Sequence, residues 1–211
     1  MGLGDGNEYV GRMTFVRERA RLPMQGRIRP GGGDCLYTPM AIKTMLFDIE
    51  MCVRLSCDGI VAGGLRPNGD VDAAAAGQCV QAAGHLGATF HRAIDVCRDP
   101  IMALEVVIGL GYERVLTSGR QPRALDGIER IAAMWRQAAG RIGIMAGGGI
   151  SVADVAALKQ QAGVREFHAS ASRPLPSCTA FRAEPGPDMV AGAWCSQPPL
   201  AHAPAPHPAL D

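Results

Sequence analysis

The stretch ATFHRAIDVCRDPIMALEVVIGLGYERVLTSG, residues 88–119, decides the fold class. The short run at 88–91 predicts a strand, and a longer apolar segment at 100–110 predicts a helix. Asp99 directly before Pro100 is typical of a helix N-terminus. A second short run at 114–117 predicts another strand. A strand, a helix and a strand in this order form a right-handed βαβ unit with parallel strands.

The rest of the chain repeats this alternation. Further strands are predicted at 24–29, 59–62, 142–145 and 165–168. Further helices are predicted at 40–55, 73–85, 123–138 and 152–161. Some of the strands lack polar alternation, as expected where helices cover both faces of a sheet. The sequence therefore predicts an α/β fold with parallel strands and outer helices.

Composition excludes several classes of protein. The 211 residues carry 21 basic and 20 acidic side chains, a balance that disfavours nucleic-acid or membrane-surface partners. No apolar run approaches the roughly 20 residues that span a bilayer, and the first residues lack the order of a signal peptide. We expect a cytoplasmic protein whose seven cysteines are free thiols. We assign 1–23 to a helical N-terminal region, 24–184 to one barrel-type domain and 185–211 to a Pro/Ala-rich disordered tail.

Polar or glycine-rich residues follow every predicted strand, where parallel α/β proteins gather their functional groups. RPGGGD supplies Arg29, Gly32, Gly33 and Asp34 as candidates for holding an anion. The alternative is a tight turn with an Arg29–Asp34 ion pair. MAGGGI supplies Gly147, Gly148 and Gly149, which resemble a phosphate-gripping loop before a helix N-terminus. Here the alternative is close packing of the loop against the helix.

FHRAID contains the strongest candidates for chemistry. His91 can exchange protons near neutral pH, Arg92 can neutralise an anion and Asp95 can orient either. His168, at the end of another strand, points to the same opening if a barrel closes. Alternatively, both histidines fill the upper layer of the barrel. Two further anion-binding candidates, which an ordinary strand exit explains equally well, are Thr117 and Ser118.

Six ordered motifs together carry a family resemblance: RIRPGGGDCLY, DGIVAGGLRPNGDVD, ATFHRAID, YERVLTSG, MAGGGI and EFHASA. Their order and spacing resemble the CutC family of copper homeostasis proteins. The resemblance covers about 24–182 and implies a cytoplasmic TIM (β/α) barrel. The family's first strand and its second, Glu-Leu-Cys strand have no counterpart here, so we expect six of eight strands. A homo-oligomer would cover the two edges that this leaves unpaired.

The family resemblance also implies copper, and the residues give limited support for it. Cu(I) prefers thiolate or thioether ligands. On one continuous helix, Cys52 and Cys57 would diverge by roughly 140° and share no face. Cys35 and Cys97 each follow a strand end and are the candidate metal ligands. Two hypotheses follow: a copper-binding or copper-tolerance protein, or an enzyme acting on a small anionic or phosphorylated metabolite.

Overall fold

The computed structural model describes residues 10–19, 22–31 and 33–170. All of them fall within one compact unit. The predicted tail at 185–211 and the glycine at position 32 lie outside the described residues. Among the described residues, no helix has both the length and the apolar character needed to cross a bilayer.

Six parallel strands form one curled sheet and pair in the order in which they occur along the chain. They are β1 (Gln25–Arg27), β2 (Gly59–Ala62), β3 (Gly87–Phe90), β4 (Arg114–Thr117), β5 (Gly143–Gly147) and β6 (Glu166–His168). The register continues from strand to strand, with Val61 opposite Thr89 and Val115 opposite Ile144. In the described part of the chain, β1 and β6 are the edges of this sheet. The predicted α/β architecture, of TIM-barrel type with six strands, is confirmed.

Helices connect the strands. They are α1 (Val10–Arg19), α2 (Pro39–Arg54), α3 (Ala73–Ala83), α4 (Ala93–Val96), α5 (Pro100–Gly109), α6 (Ile128–Ala138) and α7 (Val152–Ala157), which continues as a π-helical turn (Leu158–Ala162). The four-residue α4 was not predicted. Helix α6 begins five residues later than predicted, because the chain after β4 first packs back on itself, with Gly127 close to the Ser118 carbonyl.

Capping side chains fix where several helices begin. The Asp99 carboxylate accepts the backbone N–H groups of Ile101 and Met102 at 2.9 and 3.2 Å. Ser151 and Asp154 form the capping box that their spacing predicts. These polar groups satisfy N–H donors that the first turn of a helix leaves open, so each helix starts at a defined residue.

The two faces of the sheet differ in chemistry. Ile60, Phe90 and Val115 are fully buried on the outer face, in one core cluster with side chains of the helices. Because side chains alternate along a strand, the intervening residues point to the inner face. There the Thr89 hydroxyl meets Gln25 at 3.4 Å, and other strands contribute charged side chains. The polar inner face leads to the ends of the strands, where the predicted site residues lie.

Candidate functional site

A buried carboxylate ties together the loops that follow β3 and β4. Asp95, on α4, accepts hydrogen bonds from the Thr117 hydroxyl at 2.6 Å, the Ser118 amide at 3.0 Å and the Arg120 amide at 3.1 Å. The Arg92 Nε donates to the same carboxylate at 2.8 Å. These donors come from two different loops, so the carboxylate holds the loops in a fixed relation to each other. Asp95, Thr117 and Ser118 therefore form a rigid support, which local sequence patterns could not reveal.

Arg92 joins this support to the triple-glycine loop. One Nη atom donates to the Ser118 hydroxyl at 2.7 Å. The other lies 3.5 Å from the position that a Cβ on Gly148 would occupy. The Arg92 side chain is 44% exposed, so it lies at the rim of the opening. The predicted partners Arg92 and Gly147–Gly149 are therefore neighbours, as an anion-binding site requires.

A second arginine, which sequence reasoning missed, lies against the same loop. The Arg123 side chain packs on Gly149, with Cγ 3.3 Å from a Cβ placed there. Its guanidinium is 3.3 Å from Asp154, in the first turn of α7. Hydrogen bonds from Ser151 and the charge of Arg123 hold the pKa of Asp154 below its usual range. The two arginines place positive charge at successive glycines of the loop, Arg92 at Gly148 and Arg123 at Gly149.

His91 is buried at the end of β3. Its Nδ1 accepts the Ala93 amide at 3.1 Å, so the proton is assigned to Nε2, which has no hydrogen-bond partner among the described residues. Burial, together with the nearby charges of Arg29 and Arg27, lowers the pKa of His91 to about 4. The imidazole is therefore neutral at pH 7, and its open Nε2–H can donate to a ligand more readily than it can exchange a proton.

Glycines after β2 make room for this histidine and for a tyrosine. A Cβ on Gly63 would lie 2.9 Å from the His91 ring, and a Cβ on Gly64 would lie 3.3 Å from the Tyr37 ring. Burial raises the pKa of Tyr37 to about 12, so its hydroxyl stays protonated. The pair of glycines after β2 was the only feature of the sequence that indicated close packing of His91 and Tyr37 at this strand end.

The remaining predicted residues follow β1 or end β6. Arg29 donates to the Gly33 carbonyl at 2.9 Å, and its charge acts on His91. The Asp34 carboxylate accepts the Leu36 amide at 3.2 Å, a local turn contact. His168 is exposed and borders the triple-glycine loop, because a Cβ on Gly147 would lie 3.1 Å from the His168 Cβ.

Comparison with known proteins identifies the family. The family model described as the CutC family matches residues 7–173. A CutC family protein of Xanthomonas axonopodis pv. citri is 54% identical over 161 residues, which are 76% of this chain and 67% of that protein. A CutC family protein of Xylella fastidiosa (strain 9a5c) is 47% identical over 190 residues, covering 89% and 70% of the two chains. The chain belongs to the CutC family.

Solved structures support the same fold for this CutC family member. The crystal structure of the putative copper homeostasis protein CutC from Streptococcus agalactiae has a TM-score of 0.75 at 28% identity. The match covers 79% of this chain and 82% of that one. A structure described as an aldolase has a TM-score of 0.59 at 17% identity, over 75% and 73% of the two chains, and shows the shared fold alone.

The five described cysteines of this CutC chain are free and buried: Cys35, Cys52, Cys57, Cys79 and Cys97. Burial raises the pKa of the Cys35 thiol and raises that of Cys97 to about 11. Cys35 lies among Arg29, Asp34 and Tyr37, whereas the Cys97 thiol donates to the Ile94 carbonyl at 3.1 Å. No interaction between Cys35 and Cys97 is seen.

The expectation that Cys52 and Cys57 share no face is wrong. Helix α2 ends at Arg54, so Cys57 is not on the helix. Ser56 adopts a positive φ of 53°, and the Cys57 amide donates to the Cys52 carbonyl at 2.9 Å. After the larger effect of burial, each thiol also affects the pKa of the other, so the two side chains lie close together. The sequence did indicate that the helix ends before Cys57, because a strand that begins at Gly59 requires a turn before it.

Conventional metal clusters are not found in the part of the CutC chain that the structure describes. There, no three His, Cys, Asp or Glu side chains converge as they would around a metal ion. Methionine is not among these four residue types, although its thioether is a ligand for Cu(I). A cluster of two thiols and one thioether therefore remains a possible donor set.

A cavity of about 1250 Å³ is lined in part by Arg120 and Gln121, from the loop after β4 whose backbone contacts Asp95 and Arg92. It is an open groove bordered by Arg98, Arg120 and Arg130, with the side chains of Ile101 and Met102 along it. None of the predicted site residues lines this groove. The polar groups at the strand ends, rather than the groove, carry the chemistry described above.

Proposed function

We propose that this CutC family member acts in cytoplasmic copper homeostasis by binding Cu(I) through cysteine thiols. The observation that carries the proposal is that all five described cysteines are free and buried. Buried thiols in an apolar surrounding suit a soft, singly charged ion better than they suit Zn²⁺ or Mg²⁺. The name of the Streptococcus agalactiae relative, a putative copper homeostasis protein, points in the same direction.

The test is a Cu(I) titration of the full chain under anaerobic, reducing conditions, against a colorimetric Cu(I) chelator. We expect about one tightly held Cu(I) per chain. The control is a variant in which all seven cysteines are replaced by serine. Equal Cu(I) uptake by the control, or no uptake by the native chain, would refute the proposal.

Cys35 and Cys97 remain the ligands that sequence position favours. If they bind the ion, the double variant Cys35→Ser/Cys97→Ser loses Cu(I) affinity by about 100-fold. Unchanged affinity in this variant would show that Cys35 and Cys97 are not the Cu(I) ligands and that other thiols bind the ion.

A second candidate function rests on one observation, the approach of the Arg92 guanidinium to the backbone of Gly148. The Arg92 guanidinium and the triple-glycine loop together can bind a small anion, such as a phosphorylated metabolite. His91 precedes Arg92 in the chain, and its Nε2–H is open to donate to such a ligand. On this reading His91, Asp95 and His168 would serve an enzyme: His91 as a donor, Asp95 as the support for Arg92 and His168 at the rim.

The test of this second candidate is binding of inorganic phosphate, measured by isothermal titration. We expect Arg92→Gln to weaken binding about tenfold or more, which is a loss of one charge-assisted contact. Arg130→Gln is the matched control, because Arg130 is also exposed but lies on α6. Equal phosphate binding by the native chain and Arg92→Gln would remove the candidate.

We also propose that the chain self-associates. Met40 and Phe47 on α2 are 71% and 60% exposed, which leaves apolar surface for a second copy to cover. Light scattering after size-exclusion chromatography should give the mass of an oligomer. A mass that stays at that of one chain across the accessible concentrations contradicts this.

A further inference from the structure

The sulfur atoms of Met13 and Cys52 approach the same point on Gly26, where α1, α2 and β1 pack together. Cys52 projects from α2 onto Gly26 of β1, where any Cβ would overlap the Cys52 Sγ. The Met13 Sδ, from α1, lies 3.7 Å from the same Cβ position. The bare backbone of Gly26 therefore leaves a space that a thiol and a thioether fill.

The third sulfur comes from the turn after α2. Because Ser56 takes a positive φ, Cys57 returns to the end of the helix and its amide bonds the Cys52 carbonyl. Burial raises the pKa of both thiols, and each thiol also affects the pKa of the other, so the two side chains lie close together. Cys52, Cys57 and Met13 are 0%, 3% and 5% exposed, so water does not reach the cluster freely.

A positive charge lies beside the two thiols. The Arg17 guanidinium donates to the Ser56 carbonyl at 2.6 Å and to the Asp58 carboxylate at 3.2 Å. Its charge favours the thiolate of Cys57, whereas Asp58 opposes it. Asp48, from α2, likewise opposes ionisation of Cys52. Without a ligand the effect of burial outweighs Arg17, and both thiols remain protonated.

We propose that Met13, Cys52 and Cys57 form a Cu(I) site. The inference rests on the proposed copper function and names the site for it. Two adjacent thiols with a thioether behind them make a donor set that is soft throughout, and Cu(I) is the common biological ion that prefers two or three such ligands. The site lies at the helix-facing side of β1, away from the strand-end opening that holds Arg92.

The binding step balances without any change of oxidation state. Cu(I) replaces the protons of the Cys52 and Cys57 thiols, so two sulfur–hydrogen bonds break, two sulfur–copper bonds form and two protons pass to solvent. The resulting bis-thiolate unit carries one negative charge, which the guanidinium of Arg17 is placed to offset. The Met13 thioether adds a neutral third ligand.

The experiment compares variants of the full chain in the Cu(I) titration against a chelator. Cys52→Ser/Cys57→Ser should lose more than about 100-fold in affinity. Cys79→Ser, the control at a buried free thiol outside both proposed ligand sets, should bind as the native chain does. Met13→Leu, which keeps volume but removes the sulfur, should weaken binding about tenfold.

A second measurement does not depend on the variants folding. Crystals of the native chain grown with Cu(I) are measured at the copper absorption edge, and the anomalous peak should lie between the sulfur atoms of Cys52 and Cys57. A peak at another place, or full affinity in Cys52→Ser/Cys57→Ser, overturns this site while the copper function stands. No Cu(I) binding by the native chain removes both.

Discussion

Lowering the pH should destabilise this protein through a single buried imidazole. The pKa of His91 lies at about 4 in the folded chain, against an ordinary value of 6.5, and the principal cause is burial. The unfolded chain therefore takes up a proton as the pH falls below 6.5, whereas the folded chain does not. The stability associated with neutral His91 is complete above pH 6.5 and is lost as the pH falls towards 4.

The pKa difference sets the size of the effect. One unit corresponds to 1.36 kcal/mol, so the free energy of unfolding should fall by about 2 kcal/mol between pH 7 and pH 5 and by about 3 kcal/mol at pH 4. Above pH 5, the loss of stability reports mainly on His91. Carboxylates with lowered pKa values, such as Glu105 at about 2, contribute their own losses only at lower pH.

The assay is urea denaturation at pH 7, 6 and 5 for the native chain and for His91→Asn. The asparagine can still accept the Ala93 amide but cannot titrate. It should be less stable at pH 7, because it leaves part of the space of the ring unfilled, and its stability should change little down to pH 5. His85→Asn is the control, since His85 is exposed and should keep the native pH dependence. If His91→Asn loses as much stability on acidification as the native chain, the reasoning fails.

Three further changes test the packing around the site, each by the midpoint of chemical denaturation. Asp95→Asn should lower the free energy of unfolding by about 3 kcal/mol, because the amide removes the charge and one of the two acceptor oxygens and turns an NH₂ group towards Arg92 and the donors after β4; an unchanged midpoint would show that this network is not stabilising. Gly127→Ala should cost several kcal/mol, about 3 or more, because its Cβ would collide with the Ser118 carbonyl. A loss below 1 kcal/mol would mean that the loop after β4 moves aside at little cost. Asp99→Ala removes the cap of α5 and should cost about 1 kcal/mol, whereas Asp99→Asn should cost much less; equal losses in the two variants would argue against capping.

Local chemistry made most of the fold predictable. The strands β2 and β4 have the predicted bounds, and the start of α5 follows from Asp99 and Pro100, since both signals act within a few residues. Helix α6 was predicted to begin too early because the contact between Gly127 and Ser118 joins separate turns of the chain. Such contacts arise only when the loops pack together.

The sequence predicted where the candidate site lies, but it did not predict the individual contacts within it. Strand-end position correctly brought Arg92 to the triple-glycine loop. Apart from Arg92, the donors that surround Asp95 come from residues more than twenty positions away, and no periodicity encodes them. The expectation that Cys52 and Cys57 lie apart was wrong for a different reason. It assumed one continuous helix through both residues, whereas the helix ends at Arg54 and the chain then turns towards β2.

The order of the strands has a consequence for how the molecule forms. Each strand hydrogen-bonds to the one that precedes it in the chain, so every new βα unit emerging from the ribosome finds its partner already made. Gln25 pairs with Gly59 and Met145 pairs with Glu166, so each pairing closes a loop of one βα unit rather than a loop across the whole chain, which limits its entropic cost. The chain can therefore be built up vectorially, one unit after another, during its own synthesis.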